Sequence, residues 1–544
     1  MSRNTKDTGY RPDCLCRSRN PSGKARVGVL SAIKGHSLQT QFKSTAFRFT
    51  DALRQGMRHT GRQNRGVFKS IQKAGQKMEQ AKKQTGIPSR GEKELATGPI
   101  PRLFVKFVIP GMLALFLLSA QVFIDGILVG NFVGANAMAA INLVIPLYSL
   151  LIAFAIVMCV GCQCTVGMKL GEGDLHTAND ALKTGLVFAV AVSWAAGLVI
   201  CLAAPRLITV MGANDVLSGD AVAYIRVLAF FFPLPVAMFM CDAVVKATGR
   251  PIYATAGMLT MVASNIAFDL LFIVAFGWGV AGAALATGIS YALGLCVYLP
   301  ALLHRHTPVN LFAGRFRKAL VGKILYIGSA EGVTELSAAV VTLMFNITLI
   351  NTVGEKGVAA FTAINYLHFV LMACIIGMSE GIRSIISYNH GMGNPERIRA
   401  TLKLAARVTA VFAVVTFSSF AFFGRELVSS FFSTQESDII TLAANGTAIL
   451  AFAYLFNGFN ILIAGYFTSI GQARRSLVIS LLRGCGLLTV LLFTLPPLLG
   501  IDGIWATVPV AEALTLCVAG LMYLKHKNAA ATVAAKQAKA VMPE

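Results

Sequence analysis

Charge is scarce in this sequence. Only 13% of its 544 residues are Asp, Glu, Lys or Arg, against 55% hydrophobic ones, and the mean hydropathy is +0.66. Soluble domains carry roughly a quarter of charged residues because their surface faces water, so a soluble globular fold is excluded and lipid is the fitting solvent. Long polar stretches are missing between about residues 102 and 525, which leaves no soluble domain there. No phosphate-binding loop is present, which removes an ATP-driven pump. The eleven cysteines form no disulfide framework. Cys159, Cys162 and Cys164 cluster without His or carboxylate partners and read as small buried hydrophobes, not as a metal site. His368 and His390 lack the ligand or nucleophile partners of a membrane enzyme or sensor.

Acidic residues are outnumbered, with 25 Asp and Glu against 48 Lys and Arg. Residues 1–98 alone carry +15 of the net +23. Aromatics are sparse in that tail and no nucleic-acid motif appears, so nucleic acid is not an expected partner. The tail reads as an unstructured cytoplasmic extension drawn to anionic lipid, with Cys14 and Cys16 as free thiols. It has no apolar core of a secretory signal, although its Arg-rich, acid-poor composition is similar to that of organellar transit peptides. Met78 opens a conventional short lead, so translation is expected to start at Met78 or Met57.

What the sequence does hold is a series of apolar runs of about 20 residues or more, the length that crosses ~30 Å of hydrocarbon. They fall at 102–130, 137–168, 181–204, 221–246, 252–276, 280–303, 320–351, 357–390, 400–423, 439–470, 475–499 and 503–524. Every even-numbered connection is richer in Lys and Arg than the odd ones. Lys169, Lys183, Lys246, Arg250, Arg315, Arg397, Arg474 and Arg475 sit on one side, and only Arg206, Lys356 and Arg425 on the other. Cytoplasmic loops carry that excess, so both termini are expected in the cytoplasm of a bacterial inner membrane.

KLGEGDLHTANDALK at 169–183 aligns with NHGMGNPERIRATLK at 389–403, and VGNFVGANAMAA at 129–140 with LINTVGEKGVAA at 349–360, both offset by 220. Gly249 answers Gly471 and Gly282 answers Gly503, at 222 and 221. Six spans per repeat is an even number, so the halves enter the membrane alike, as parallel repeats. The expected fold is all-α and polytopic, with twelve transmembrane helices in two six-helix bundles. The lobes are 99–305 and 320–525, joined by a linker at 306–319 and followed by a tail at 526–544.

Ionisable groups at membrane depth cost about 2.5–3.5 kcal/mol each on insertion scales, which makes each a functional candidate. Asp125 lies in span 1, and Asn265 with Asp269 one turn apart on span 5. At about 1.5 Å per residue, Asp125, Asp269 and Thr287 of span 6 share one level near the outer ends. Two carboxylates, an amide and a hydroxyl make a hard-oxygen set for H⁺ or Na⁺, because two close carboxylates do not both stay ionised in low dielectric without a cation. The second half does not copy this set: Phe345 stands at the equivalent of Asp125, and Gly486 near that of Asn265. It carries Glu331 and Glu335 on span 7, Glu380 on span 8 and Glu512 on span 12 instead. Glu380 and Glu512 are left open between lumen-facing and headgroup-level positions. Pro110 in span 1 permits a bend fifteen residues before Asp125.

These residues resemble the MATE (multidrug and toxic-compound extrusion) family, and within it the DinF/MepA-like bacterial branch, over about 102–525. The resemblance rests on VFIDGILVG at 122–130, the Asn265–Asp269 pair, GVAGAALATGIS at 279–290 and EGIRSIISYNHGMGNPERIR at 380–399. It implies a first-half cation site at Asp125, Asn265, Asp269 and Thr287, a bending proline at Pro110 and a helix 7 acid at Glu335. Gln121 replaces the tyrosine usual four residues before the helix 1 aspartate. The implied activity is antiport: a bulky, cationic, amphipathic organic compound leaves as H⁺ or Na⁺ enters, by rocking of the halves. No cofactor is expected, and the partners are membrane lipid and substrate, with the chain a monomer. The alternative within the superfamily is a flippase for a lipid-linked metabolite, which predicts basic residues in the cavity.

Overall fold

The computed structural model describes residues 89–303, 307, 309–432 and 437–541; the basic tail with Cys14, Cys16, Met57 and Met78 lies outside them. The described residues form twelve helical spans, one of them broken, and no strand. Spans 1–6 are Ile100–Phe132, Ala135–Gly171, Leu175–Val210, Asp215–Ala247, Pro251–Ala275 and Gly279–Leu303. Spans 7–12 are Lys318–Thr352, Glu355–Gly391, Pro395–Ser429, Ser437–Ser469, Ala473–Leu499 and Ile501–Val541. Each matches its expected apolar run, with 252–276 and 439–470 overrunning their helices by one residue, because hydrocarbon thickness and internal backbone hydrogen bonding fix where a helix must exist. Span 4 bends by 45° between Phe231 and Pro233, where proline withholds an amide from the helix ladder.

The repeat is visible in local chemistry. Gly173 and Gly393 both take positive φ, 76° and 67°. After them Asp174 accepts from the Thr177 amide at 3.0 Å, and Asn394 from the Arg397 amide at 3.2 Å. A left-handed glycine followed by an Asx cap ends one helix and starts the next, so the same turn joins spans 2 and 3 and spans 8 and 9.

Two six-helix lobes meet mainly through spans 1 and 2 of one and spans 7 and 8 of the other. The seam is tight at the basic end, where the Lys- and Arg-rich connections lie. All residues of 160–168 and 381–389 are buried there. A Cβ on Gly161 would strike the Ile324 carbonyl, and one on Gly377 would reach the Met112 backbone; glycine at these points lets backbones touch. Towards the opposite end span 2 is buried only at Ala137, Ala140 and Val144 between residues 135 and 150. A single helical stripe is covered, so the rest of that half faces lipid or the space between lobes.

One expectation changes. Residues 90–97 belong to a helix and not to an unstructured tail: Ser89 and Glu92 form a reciprocal capping box, and Leu95 is fully buried. Arg397 donates to the carbonyls of Leu95 and Gly98 at 3.1 and 2.8 Å, and Gly91 abuts Thr248 and Gly249. This short helix therefore touches both lobes at the basic end. The helix of span 12 continues to Val541, through the expected tail. The inter-lobe linker is pinned to span 3, with the Arg315 amide donating to buried Asp180 at 2.7 Å and Arg317 paired to it at 2.6 Å.

Arg397→Ala removes charge-assisted hydrogen bonds worth about 1.5–3 kcal/mol each. Amide exchange across 90–97 is then expected to accelerate roughly tenfold or more, read by hydrogen-exchange mass spectrometry; an unchanged rate would mean that Leu95 alone docks the helix.

Candidate cation site and intramembrane charges

Span 1 delivers Asp125 seven residues before its end at Phe132. Span 5 delivers Asp269 six residues before Ala275, and span 6 places Thr287 eight residues after Gly279. These offsets set all three at a common depth, roughly 9–12 Å from the end opposite the basic one. The Asp125 and Asp269 carboxyl groups stand within hydrogen-bonding reach of each other. Asn265 is fully buried and Asp269 is 1% exposed. Immediately after Asp269 the helix widens into a π turn over Leu270–Ala275, a local departure common at functional sites.

What distinguishes the site is missing partners. Asp125 Oδ1, both Asp269 oxygens, both Asn265 amide atoms and Gln121 Oε1 are buried without a hydrogen-bond partner. Gln121 Nε2 reaches Asp125 Oδ2 only at 3.5 Å, a weak bond. Buried polar atoms are nearly always satisfied, and two facing carboxylates offer only acceptors. A proton shared between them, or a hard cation held by their oxygens and the Asn265 carbonyl, completes the set. No ion pair neutralises either acid among the described residues.

The structure brings Asp125, Asn265 and Asp269 together. Thr287 is on a span packed against spans 5 and 1, but its hydroxyl makes no hydrogen bond to the acids. Three phenols not foreseen from the sequence lie within electrostatic reach of Asp125, those of Tyr148, Tyr224 and Tyr291, with the first and third 3.2 Å apart. They come from spans 2, 4 and 6, and aromatic residues in apolar runs carry no signal that would single them out. Pro110 leaves span 1 unbroken, and the adjacent Gly111 meets the Gly377 carbonyl of the other lobe. The bending point therefore lies in the seam, about 22 Å along the helix from Asp125.

The second-half acids do something else. Glu331 pairs with Arg383 at 2.7 Å, while Glu335 has no ion-pair partner among the described residues. Glu512, 4% exposed, accepts from Asn457 and Asn460 at 3.0 and 2.7 Å and pairs with Arg483 at 3.3 Å. Glu380 is partly buried at the seam, 2.8 Å from Lys246 of the first lobe. Lys246, which charge alone places in a connection, lies inside the span 4 helix and is 5% exposed. Lys246, Arg383 and Arg483 are each matched to a carboxylate. At the equivalent of Asp125, Phe345 stacks on Phe361 inside an apolar core with Trp505.

Twelve spans in two repeated lobes, sealed at one end and holding unsatisfied carboxylates at membrane depth, define a membrane transporter. The MatE family profile matches residues 110–271 and again 332–494, one copy on each lobe at the repeat spacing. The chain belongs to the MatE family. It is 23% identical to the multidrug export protein MepA of Staphylococcus aureus over 430 residues, covering 78% of this chain and 93% of that protein. Against MepA of Staphylococcus haemolyticus the identity is 25% over 433 residues, with the same coverage. Among solved structures, an outward-facing MATE transporter of the MOP superfamily superposes with a TM-score of 0.76 at 22% identity, covering 82% of this chain and 99% of that one. A multi-pass transporter of this family is not an enzyme.

Proposed function

We propose that this chain is a cation-coupled antiporter that exports bulky, cationic, amphipathic organic compounds from the bacterial cytoplasm across the inner membrane. The observation that carries the reading is the Asp125–Asp269 pair, a buried and a half-buried carboxyl group within reach of each other with no donor between them and an orphaned Asn265 amide beside them. Such a site costs free energy unless a proton or Na⁺ occupies it, which makes its stability depend on the ion gradient. With the basic end in the cytoplasm by the positive-inside rule, the sealed seam faces inward and the site lies near the outer surface, where the entering ion arrives. The likeness to MepA, a multidrug exporter by name, supports the direction and class of cargo.

Transport then requires the lobes to part at the basic end and close at the other. The exchange of one closure for the other has the Gly-lined seam and Pro110 in its path. Efflux of a cationic dye from everted vesicles, driven separately by a pH step and by a Na⁺ step, tests the reading. One of the two steps is expected to drive dye movement above that of vesicles lacking the protein, and movement under neither would refute antiport.

A further inference from the structure

Lys246 occupies a position that the cation site does not explain. Its ammonium lies 2.6 Å from Asp242, one turn earlier on the same helix, and 2.8 Å from Glu380 of the other lobe. Asp242 also accepts from the Tyr298 hydroxyl at 3.2 Å. Asp242 and Lys246 are buried and Glu380 is partly buried, in the tight half of the seam and far along the bundle from Asp125. Glu380 in turn has Arg383 one helical turn away, and Arg383 is held by Glu331.

The two bonds of Lys246 differ in what happens when the lobes separate. The bond to Asp242 is within span 4 and travels with it. The bond to Glu380 crosses the seam and must break. We propose that Lys246 is a positioning residue for the transport cycle: its ion pair with Glu380 latches the basic end shut, and Asp242 is its resting partner once that end opens. This inference rests on the alternating-access reading above and assigns the charge that holds one of its states.

The arrangement predicts opposite consequences for two near-isosteric changes. In Glu380→Gln the seam loses its charged bond, while Lys246 keeps Asp242 in both states, so opening becomes easier. In Asp242→Asn the closed state keeps a neutral Lys246–Glu380 pair, and opening now strands an ammonium without a carboxylate. Opening becomes no easier, or harder. If the triad were only a packing feature, loss of either acid would loosen the seam.

Spin labels on non-cysteine amino acids at exposed Tyr253 and Arg474, at the basic ends of spans 5 and 11, report the gap in the full chain in lipid nanodiscs, with no substrate or gradient present. Glu380→Gln is expected to raise the ratio of long to short distances by roughly tenfold, the value of one charge-assisted hydrogen bond. Asp242→Asn should leave the ratio at or below that of the wild type. The double variant Lys246→Met/Asp242→Asn strips the charge from span 4 and should open the seam as Glu380→Gln does, which guards against a single variant that fails to fold. No opening in Glu380→Gln and the double variant, or opening in Asp242→Asn, would overturn the latch. Because distances are read without transport, failure of antiport in vesicles and failure of the latch are separate results.

Discussion

Replacing Asp269 by Asn is expected to abolish cation-coupled efflux while making the protein more resistant to unfolding. In the native site the buried Asp269 and half-buried Asp125 carboxyl groups face each other, and three of their four oxygens are buried with no partner. An unsatisfied buried acceptor costs about 1–3 kcal/mol. An amide at 269 supplies an N–H donor to Asp125 and removes one potential charge, so the folded state gains on the order of 1–3 kcal/mol. It also removes the group that must bind and release the cation, so gradient-driven dye efflux should fall to the level of vesicles lacking the protein. Asp125→Asn should act in the same direction. Efflux in everted vesicles and thermal unfolding of protein solubilised from the same membranes check both halves, the latter as a ranking because membrane proteins often unfold irreversibly. Full efflux in both variants would remove these residues from coupling, and lost efflux with lost stability would make them structural. The opposition of activity and stability is what an electrostatically unsatisfied functional site predicts.

The largest loss of stability is expected in the other lobe, from Arg483→Met. Arg483 lies in a π turn of span 11 and is matched to Glu512, which also takes two asparagine amides. Removing the guanidinium leaves a buried carboxylate with no counter-charge, a change that costs about 3–5 kcal/mol. The double variant Arg483→Met/Glu512→Gln leaves neutral groups and retains the amide contacts, so it should recover most of the loss. Unfolding midpoints and folded yield in detergent measure this, and the double variant should transport as well per folded molecule as the wild type. If it folds but does not transport, the second lobe contributes a charge to the cycle. By the repeat offset of 221, Glu512 answers Tyr291, whose hydroxyl stands beside that of Tyr148 in the first lobe. One scaffold thus carries a satisfied ion pair in one copy and an unsatisfied carboxyl pair in the other.

Much of this is legible in the sequence alone. Asp125, Asn265 and Asp269 were identifiable because an acid in an apolar run is costly wherever that run goes, and because residues four apart share a helix face. Thr287 reaches the same level by the same count, but depth does not fix direction, and the unpartnered oxygens of the acids take no hydrogen bond from its hydroxyl. Lys246 was hidden because it stands near the end of an apolar run, where a basic residue also fits a cytoplasmic connection. Residues 89–98 were hidden in a basic tail, although Ser89 and Glu92 carry the spacing of a capping box.

The number of spans, the doubled architecture and the level of the candidate site can be read along the chain. Each is a local or one-dimensional property, set by hydrocarbon thickness, by loop charge and by rise per residue. Which charges neutralise one another and which end of the seam is closed depend on how distant helices pack. Lys246 and Glu380 are 134 residues apart, and no periodicity within either helix says what faces it across a lobe boundary. Asp125 and Asp269 are functional candidates because that packing left them without a counter-charge, whereas Asp242, Glu331, Glu380 and Glu512 each received one.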